Sequence, residues 1–375
     1  MHVLMNTSDP SPSDDPNYDP HLVRPPYGRP KGRGAIENTD QRFTKLNIAY
    51  DEGESPSKVR TQFFIDHSKS IISTNDSPDL GFTGSVNPYR GCEHGCAYCY
   101  ARPSHEYLGF SAGLDFESRI MVKPDAPKLL RETFMKRGYR PSVLSLSGNT
   151  DCYQPIEKKL RITRQCLEVF AEFRHPVALI TKNHLITRDV DLLAELAGYH
   201  AVCVYISVTS LDPKLQHILE PRASSPQQRL DAVRTLHEAG VPVGVSTAPI
   251  IPGLNDQELP ALLQAAADAG ACNAFYTVVR LPFSVKDIFA TWLGDHFPER
   301  KEKILGRIRE SQGPTFSNGE FGKRMTGVGV WAEQIEQLFR VSHARSGLAD
   351  REHPRLSTAE FRIPPNATPQ MELAL

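Results

Sequence analysis

Between residues 82 and 279, six short runs rich in β-branched residues alternate with longer amphipathic runs. No other feature limits the possible folds as strongly. An apolar period of two that gives way repeatedly to a period near 3.6 marks βα units, and such units in series build a parallel sheet with helices over its face. The expected strands are Phe82 to Asn87, Ser142 to Ser147, Val177 to Thr181, Val202 to Val208, Val241 to Thr247 and Ala274 to Val279. The expected helices are Ala126 to Lys136, Glu157 to Phe173, Asp189 to Ala197, Pro226 to Ala239 and Asp256 to Ala269, with Gly240 where a C-cap belongs. No G-x-G-x-x-G turn or Walker lysine accompanies them, which favours a barrel or partial barrel over a dinucleotide-binding sheet.

The predicted division is a disordered Pro/Gly-rich tail over 1–40, a barrel over 41–284, a helical C-terminal extension over 285–362 and a flexible tail over 363–375. Chains of 375 residues suit one large α/β domain with extensions. A net charge of -1 gives no global attraction to nucleic acid, and the basic strip from Arg24 to Arg33 reads as a solvated linker. The chain has neither an apolar run near the roughly 18 residues that span a bilayer nor a secretory signal, so a cytoplasmic protein without a membrane partner is expected.

In such barrels chemistry collects at the carboxyl ends of the strands. The loop after the first strand carries Cys92, Cys96 and Cys99 at C-x3-C-x2-C spacing, flanked by Gly91 and Gly95. Thiols this close in a reducing compartment point to a metal. No second C-x2-C pair exists to complete a structural zinc site, although His94 could serve on paper, so zinc stays open. The other option is an iron-sulfur cluster, which takes cysteine thiolates and with three of them leaves one iron open. Cys166, Cys203 and Cys272 fall in helices or strands, where a small buried hydrophobe is the default.

The stretch Asn87-Pro-Tyr-Arg-Gly-Cys-Glu-His-Gly-Cys-Ala-Tyr-Cys-Tyr-Ala-Arg102 resembles the radical S-adenosylmethionine (SAM) superfamily, and within it the spore photoproduct lyase-like branch. Thr150-Asp151, Ile180-Thr-Lys182, Ser207-Val-Thr-Ser210, Glu220-Pro-Arg222 and Ala248-Pro-Ile-Ile-Pro-Gly253 resemble that branch in order and spacing. The resemblance implies an α/β fold, a partial (β/α)6 TIM-type barrel. It also implies a [4Fe-4S] cluster on Cys92, Cys96 and Cys99, SAM as cosubstrate, and a flavodoxin or ferredoxin as electron donor. It assigns Tyr98 and Ala248 to adenine, Thr150-Asp151 to the methionyl amine side, Lys182 to the methionyl carboxylate and Ser207 to the ribose or methionyl end. Arg222 is the weakest of the cofactor contacts.

One departure stands out. The branch places a hydrogen-donating cysteine where this chain has Gly148. Cys152, just after Asp151, is the replacement candidate, and a buried inert thiol is the alternative. Tyr153 and His184 are candidates for the substrate cavity or for structural roles. The substrate implied is a nucleic-acid base; RNA, a peptide or a small metabolite are the alternatives, and a zinc-stapled binding protein is the non-enzymatic one.

Overall fold

The computed structural model describes residues 30–43 and 59–365. Ten strands are present among them: β1 (Gln62–Ile65), β2 (Ile72–Thr74), β3 (Gly84–Val86), β4 (Tyr89–Arg90), β5 (Arg119–Val122), β6 (Leu144–Leu146), β7 (Val177–Thr181), β8 (Val202–Ser207), β9 (Val243–Ile250) and β10 (Asn273–Val278). Strands β3, β6, β7, β8, β9 and β10 pair in that order and are all parallel, with β2 antiparallel at the β3 edge. These are the six strands expected from the alternation, closed into a partial barrel. A second sheet of order β1-β5-β4 flanks it.

Each parallel strand shows why it forms. In β7, Val177, Leu179 and Thr181 are buried, while Ala178 and Ile180 are half-buried on the other face. The inward set of this and neighbouring strands meets the helices Ala126–Phe134, Ile162–Phe173, Val190–Gly198, Pro226–Glu238 and Leu259–Asp268 in one continuous core. Each large apolar side chain fully buried there contributes about 1.5–3 kcal/mol. Gly240 closes its helix at φ 74°, which L side chains rarely adopt.

The expected single helix Glu157 to Phe173 is instead two, Glu157–Leu160 and Ile162–Phe173, broken at Arg161 with φ 56°. The break has a tertiary cause. The buried Glu157 carboxylate turns back to accept the Thr163 N–H at 3.0 Å and the Arg164 N–H at 3.4 Å, putting an anion on the second helix's N-terminus.

The expected tail over 1–40 is corrected for residues 30–40, which form a strap packed on the cysteine loop; 1–29 and 366–375 lie outside the described residues. The start of the C-terminal extension is not a separate cap either. Helices Val285–His296 and Lys301–Gln312 share a core with Cys96, Ala97 and Tyr98, and Trp292 donates to Ile218 O at 3.0 Å. Among the described residues no helix is long and apolar enough to cross a membrane.

One core histidine makes the fold acid-sensitive. His175 stacks on Phe134 at 4.2 Å, donates from Nδ1 to Pro176 O at 3.0 Å and accepts the Tyr139 hydroxyl at Nε2 at 2.8 Å. Burial pulls its pKa down to about 4, below an unfolded value of about 6.5. The unfolded chain therefore takes up a proton that the folded one refuses, and stability falls as pH drops from about 6.5 towards 4. In denaturant titrations across that window, His175→Phe is expected to lower the slope by up to about 1.4 kcal/mol per pH unit. His105, also lowered to about 4 by burial, keeps its own share in the variant.

Candidate active site

A cavity of about 760 Å³ opens at the carboxyl ends of the parallel strands. Cys92, Cys96 and Cys99 form one wall, and the rest comes from the ends of β6 to β10 and the loops beyond them, the loop after β2 and the segment 321–325. All three are free thiols, the first two buried and Cys99 half-buried.

The cysteine loop is held by its backbone. Gly91 and Gly95 take φ 77° and 70°, and a Cβ on Gly91 would stand 2.9 Å from Phe116 O. Gln154 accepts the Glu93 N–H at 3.0 Å and donates to Gly91 O at 3.2 Å. Arg102, fully buried, donates to Cys96 O at 3.0 and 2.8 Å and pairs with buried Glu117. Glu117 in turn accepts the N–H groups of Gly34 at 3.0 Å and Ala35 at 2.8 Å, which ties the strap to the loop. Gly34 is pressed so closely on the loop that an added Cβ would stand 1.7 Å from Gly95 O.

Backbone against backbone cannot yield by a rotamer change. Gly34→Ala is expected to lower stability by about 1–3 kcal/mol and to reduce the iron retained per chain after reconstitution, read by a colorimetric iron assay.

Burial holds the Cys96 thiol well above its ordinary range, with Glu220 adding to it, and raises Cys99 to about 11. Bound metal would have to displace those protons, as thiolate ligation generally does. Among the described residues no three His, Cys, Asp or Glu side chains converge as they would around a single ion. Three cysteine thiols on one loop are the donor set that an iron-sulfur cluster takes. His94 is not a spare ligand: its Nδ1 lies 3.3 Å from Asp151 Oδ2.

Behind the cysteines lies a buried charge network that the sequence reading missed. Glu220 is fully buried and pairs with Arg229; it accepts the Tyr98 hydroxyl, and the Thr209 hydroxyl at 2.7 Å. Burial works against its charge, but Arg229 and then Lys182 outweigh it and hold the carboxyl far below the usual range. Lys182 Nζ sits 3.4 Å from both Glu220 Oε1 and Ala248 O, on the cavity wall. Ser207 and Ser246 face each other in register on β8 and β9, and both line the cavity. Ser246 is fully buried and its Oγ has no partner, so the wall carries an unused hydroxyl.

Tyr98, Thr150, Asp151, Lys182, Ser207 and Ala248 thus reach one cavity. Two of them also carry local structure. Thr150 donates to Tyr89 O at 2.8 Å, and Asp151 accepts the Thr181 hydroxyl at 2.7 Å and the Lys182 N–H at 2.8 Å. Burial opposes the Asp151 charge, but His94 outweighs it and keeps the carboxyl below its ordinary value.

Arg222 is not on the wall. It pairs with Glu93 at 3.1 Å and donates to Thr61 at 3.2 Å, bracing the cysteine loop from outside, and does not pair with Glu220. The candidate hydrogen donor Cys152 is corrected too: it is fully buried in the main core, and no cysteine beyond the three of the loop lines the cavity. Tyr153 is likewise absent from the wall, its hydroxyl bonded to Asp189 at 3.1 Å, and His184 lies outside it as well.

Comparison with known proteins agrees with this geometry. Residues 86–266, from β3 to the helix after β9, match the Radical SAM superfamily. The chain belongs to that superfamily. This radical SAM protein is 35% identical over 233 residues to an uncharacterized protein of Mycobacterium tuberculosis, covering 62% of this chain and 67% of that one. It is 26% identical over 260 residues to the radical SAM Nalpha-GlyT isomerase of Pseudomonas phage M6, covering 68% of this chain and 50% of the isomerase. Among solved structures, spore photoproduct lyase complexed with dinucleoside spore photoproduct superposes with a TM-score of 0.55 at 16% identity, over 77% of this chain and 79% of the lyase. At that identity the likeness shows a shared fold.

Proposed function

We propose that this radical SAM protein holds a [4Fe-4S] cluster through Cys92, Cys96 and Cys99, binds SAM beside it, and abstracts a hydrogen atom from a nucleic-acid base in the outer part of the cavity. The observation that carries this reading is the meeting of three free loop cysteines, the Glu220-anchored Lys182 ammonium and the unpartnered Ser246 hydroxyl on one cavity wall. When bound, the reduced cluster supplies the electron that cleaves the sulfonium to a 5'-deoxyadenosyl radical; a flavodoxin or ferredoxin is the proposed electron donor.

The chain's own residues do the positioning. Lys182 is fixed by Glu220 and Ala248 O, so its ammonium meets a carboxylate without first losing side-chain freedom. Ser207 and Ser246 offer hydroxyls at the same depth. Tyr98 is locked by Glu220 beneath the Lys182 ammonium, 5.9 Å from its ring centroid. Burial of the cysteine loop keeps water from the thiols.

Two features support a base as substrate. The cavity is lined by Tyr100, Phe275 and Phe321, flat surfaces on which a base can stack, and Tyr100 and Phe321 are exposed at 50% and 57%. One protein of like fold is, by its title, complexed with a dinucleoside spore photoproduct, and one relative is named a radical SAM Nalpha-GlyT isomerase. The lyase reaction itself is not carried over. Gly148 has no thiol, and a Cβ there would meet Ser85 Cβ at 2.9 Å.

The test is anaerobic turnover with dithionite and SAM, with and without a short single-stranded oligonucleotide, reading 5'-deoxyadenosine and the oligonucleotide's mass. Faster 5'-deoxyadenosine formation with a mass change in the oligonucleotide is expected. Stimulation by a peptide or metabolite mixture and none by any oligonucleotide would overturn the substrate class.

A further inference from the structure

The outer end of the cavity holds a cation that the roles above leave unused. Arg280 follows β10 and lines the cavity, half-buried. Among the described residues it makes no ion pair and no hydrogen bond; its guanidinium carbon lies 5.3 Å from the Tyr100 ring centroid, and the paired Arg324 and Asp79 are near enough to act on it with opposing charges. Lys182 is held by Glu220 for the carboxylate assigned to it above, and Arg324 pairs with Asp79 at 2.5 Å. Asp79 is spent on Arg324 and on the Gly322 N–H at 2.7 Å, a latch between the loop after β2 and the segment before the last helix. Asp76 lies on the exposed rim.

A half-buried guanidinium without a counter-ion is held at a desolvation cost that an arriving anion removes. We infer that Arg280 is the anchor for a phosphate group of the substrate, gripped at the cavity mouth against Tyr100 while the attached base enters the aromatic outer chamber. The inference rests on the reading of that chamber as the substrate site.

The guanidinium fork can spread two hydrogen bonds over a phosphate or a carboxylate alike, and two features of its surroundings favour phosphate. Tyr100 beside it, half exposed, accepts a planar ring on the same molecule. The 50% exposure of Tyr100 beside it opens this end to solvent, so a chain can run outward, as a phosphodiester requires. At about 760 Å³ the cavity stands in the upper part of the roughly 300–1,000 Å³ range of small-molecule sites, room for a nucleotide beside a cosubstrate.

The test is fluorescence anisotropy of a labelled short single-stranded oligonucleotide on the reconstituted full chain, over a salt series, with thymidine monophosphate as competitor. Arg280→Gln is expected to weaken binding about tenfold or more and to lower the slope of log K against log salt by about 0.7, the share of one phosphate contact. Arg280→Lys should keep the slope and regain part of the affinity, because it keeps the charge and loses the fork. Iron content and the SAM-dependent EPR change report whether each variant is intact. An unchanged slope and affinity in an intact Arg280→Gln variant would overturn the inference, as would a wild-type protein that binds neither probe. Competition by the mononucleotide at equal strength would keep the phosphate subsite and overturn a polynucleotide as its source. A protein that forms 5'-deoxyadenosine yet ignores both probes would sink the phosphate anchor alone.

Discussion

Cys96→Ala is expected to abolish iron binding and 5'-deoxyadenosine formation together, while Lys182→Ala keeps the iron and weakens SAM binding about tenfold to a hundredfold. The two side chains lie on one wall but do different things. Cys96 is the middle thiol of three, and its carbonyl is pinned twice by Arg102, so the loop keeps its shape when the sulfur goes. What fails is the donor set, since two thiols remain and His94 is committed to Asp151. Lys182 contributes no ligand. Its removal subtracts a charge-assisted contact to a carboxylate, a loss of about 1.5–3 kcal/mol. Iron per chain and SAM affinity by equilibrium dialysis separate the two variants. Equal iron loss in both would contradict these roles.

Glu220→Gln is the second large effect, and it acts through burial. The carboxylate neutralises Arg229, itself almost fully buried, and positions Lys182, Tyr98 and Thr209 at once. The amide keeps the shape and removes the charge, leaving the Arg229 guanidinium without its anion. Breaking one partner of a buried pair typically destabilises by about 3–5 kcal/mol. A large fall in denaturation midpoint is therefore expected, along with weaker SAM binding in whatever folds, because the Lys182 ammonium is no longer held. The sign with pH follows from the depressed carboxyl. Its contribution is complete above the ordinary carboxylate pKa and is lost as pH falls towards its folded value. The wild-type advantage over Glu220→Gln should thus shrink in strong acid.

The barrel could be read from the sequence because its strands are short runs that alternate with longer amphipathic helices, and β7 matches its expected bounds residue for residue. Strands β1, β2, β4 and β5 could not. They have two to four residues each, too short for a period, and exist through pairing with distant partners such as Gln62 with Arg119. The helix break at Arg161 was hidden for a similar reason, since the Glu157 carboxylate that causes it looks like any helical glutamate in sequence.

At the site, the cysteine spacing pointed to a metal and the family resemblance picked out Lys182, Ser207 and Ala248; all six residues line one cavity. The supports were not visible. Glu117 and the strap that binds it are more than eighty residues apart, and Gly34 reads as linker until Gly95 is seen against it. Glu220 and Arg222 are only two residues apart, yet the fold sends Glu220 inward to Arg229 and Arg222 outward to Glu93. Only the one-residue distance between Asp151 and Cys152 suggested a thiol in the cavity, and the turn after β6 directs that side chain into the core.

The most direct test of the central claim is EPR of the anaerobically reconstituted, dithionite-reduced protein before and after adding SAM, with 5'-deoxyadenosine measured by mass. A four-iron signal that changes when SAM is added, with 5'-deoxyadenosine formed, is the predicted result. Failure to take up iron, or a cluster whose spectrum ignores SAM, would contradict the account.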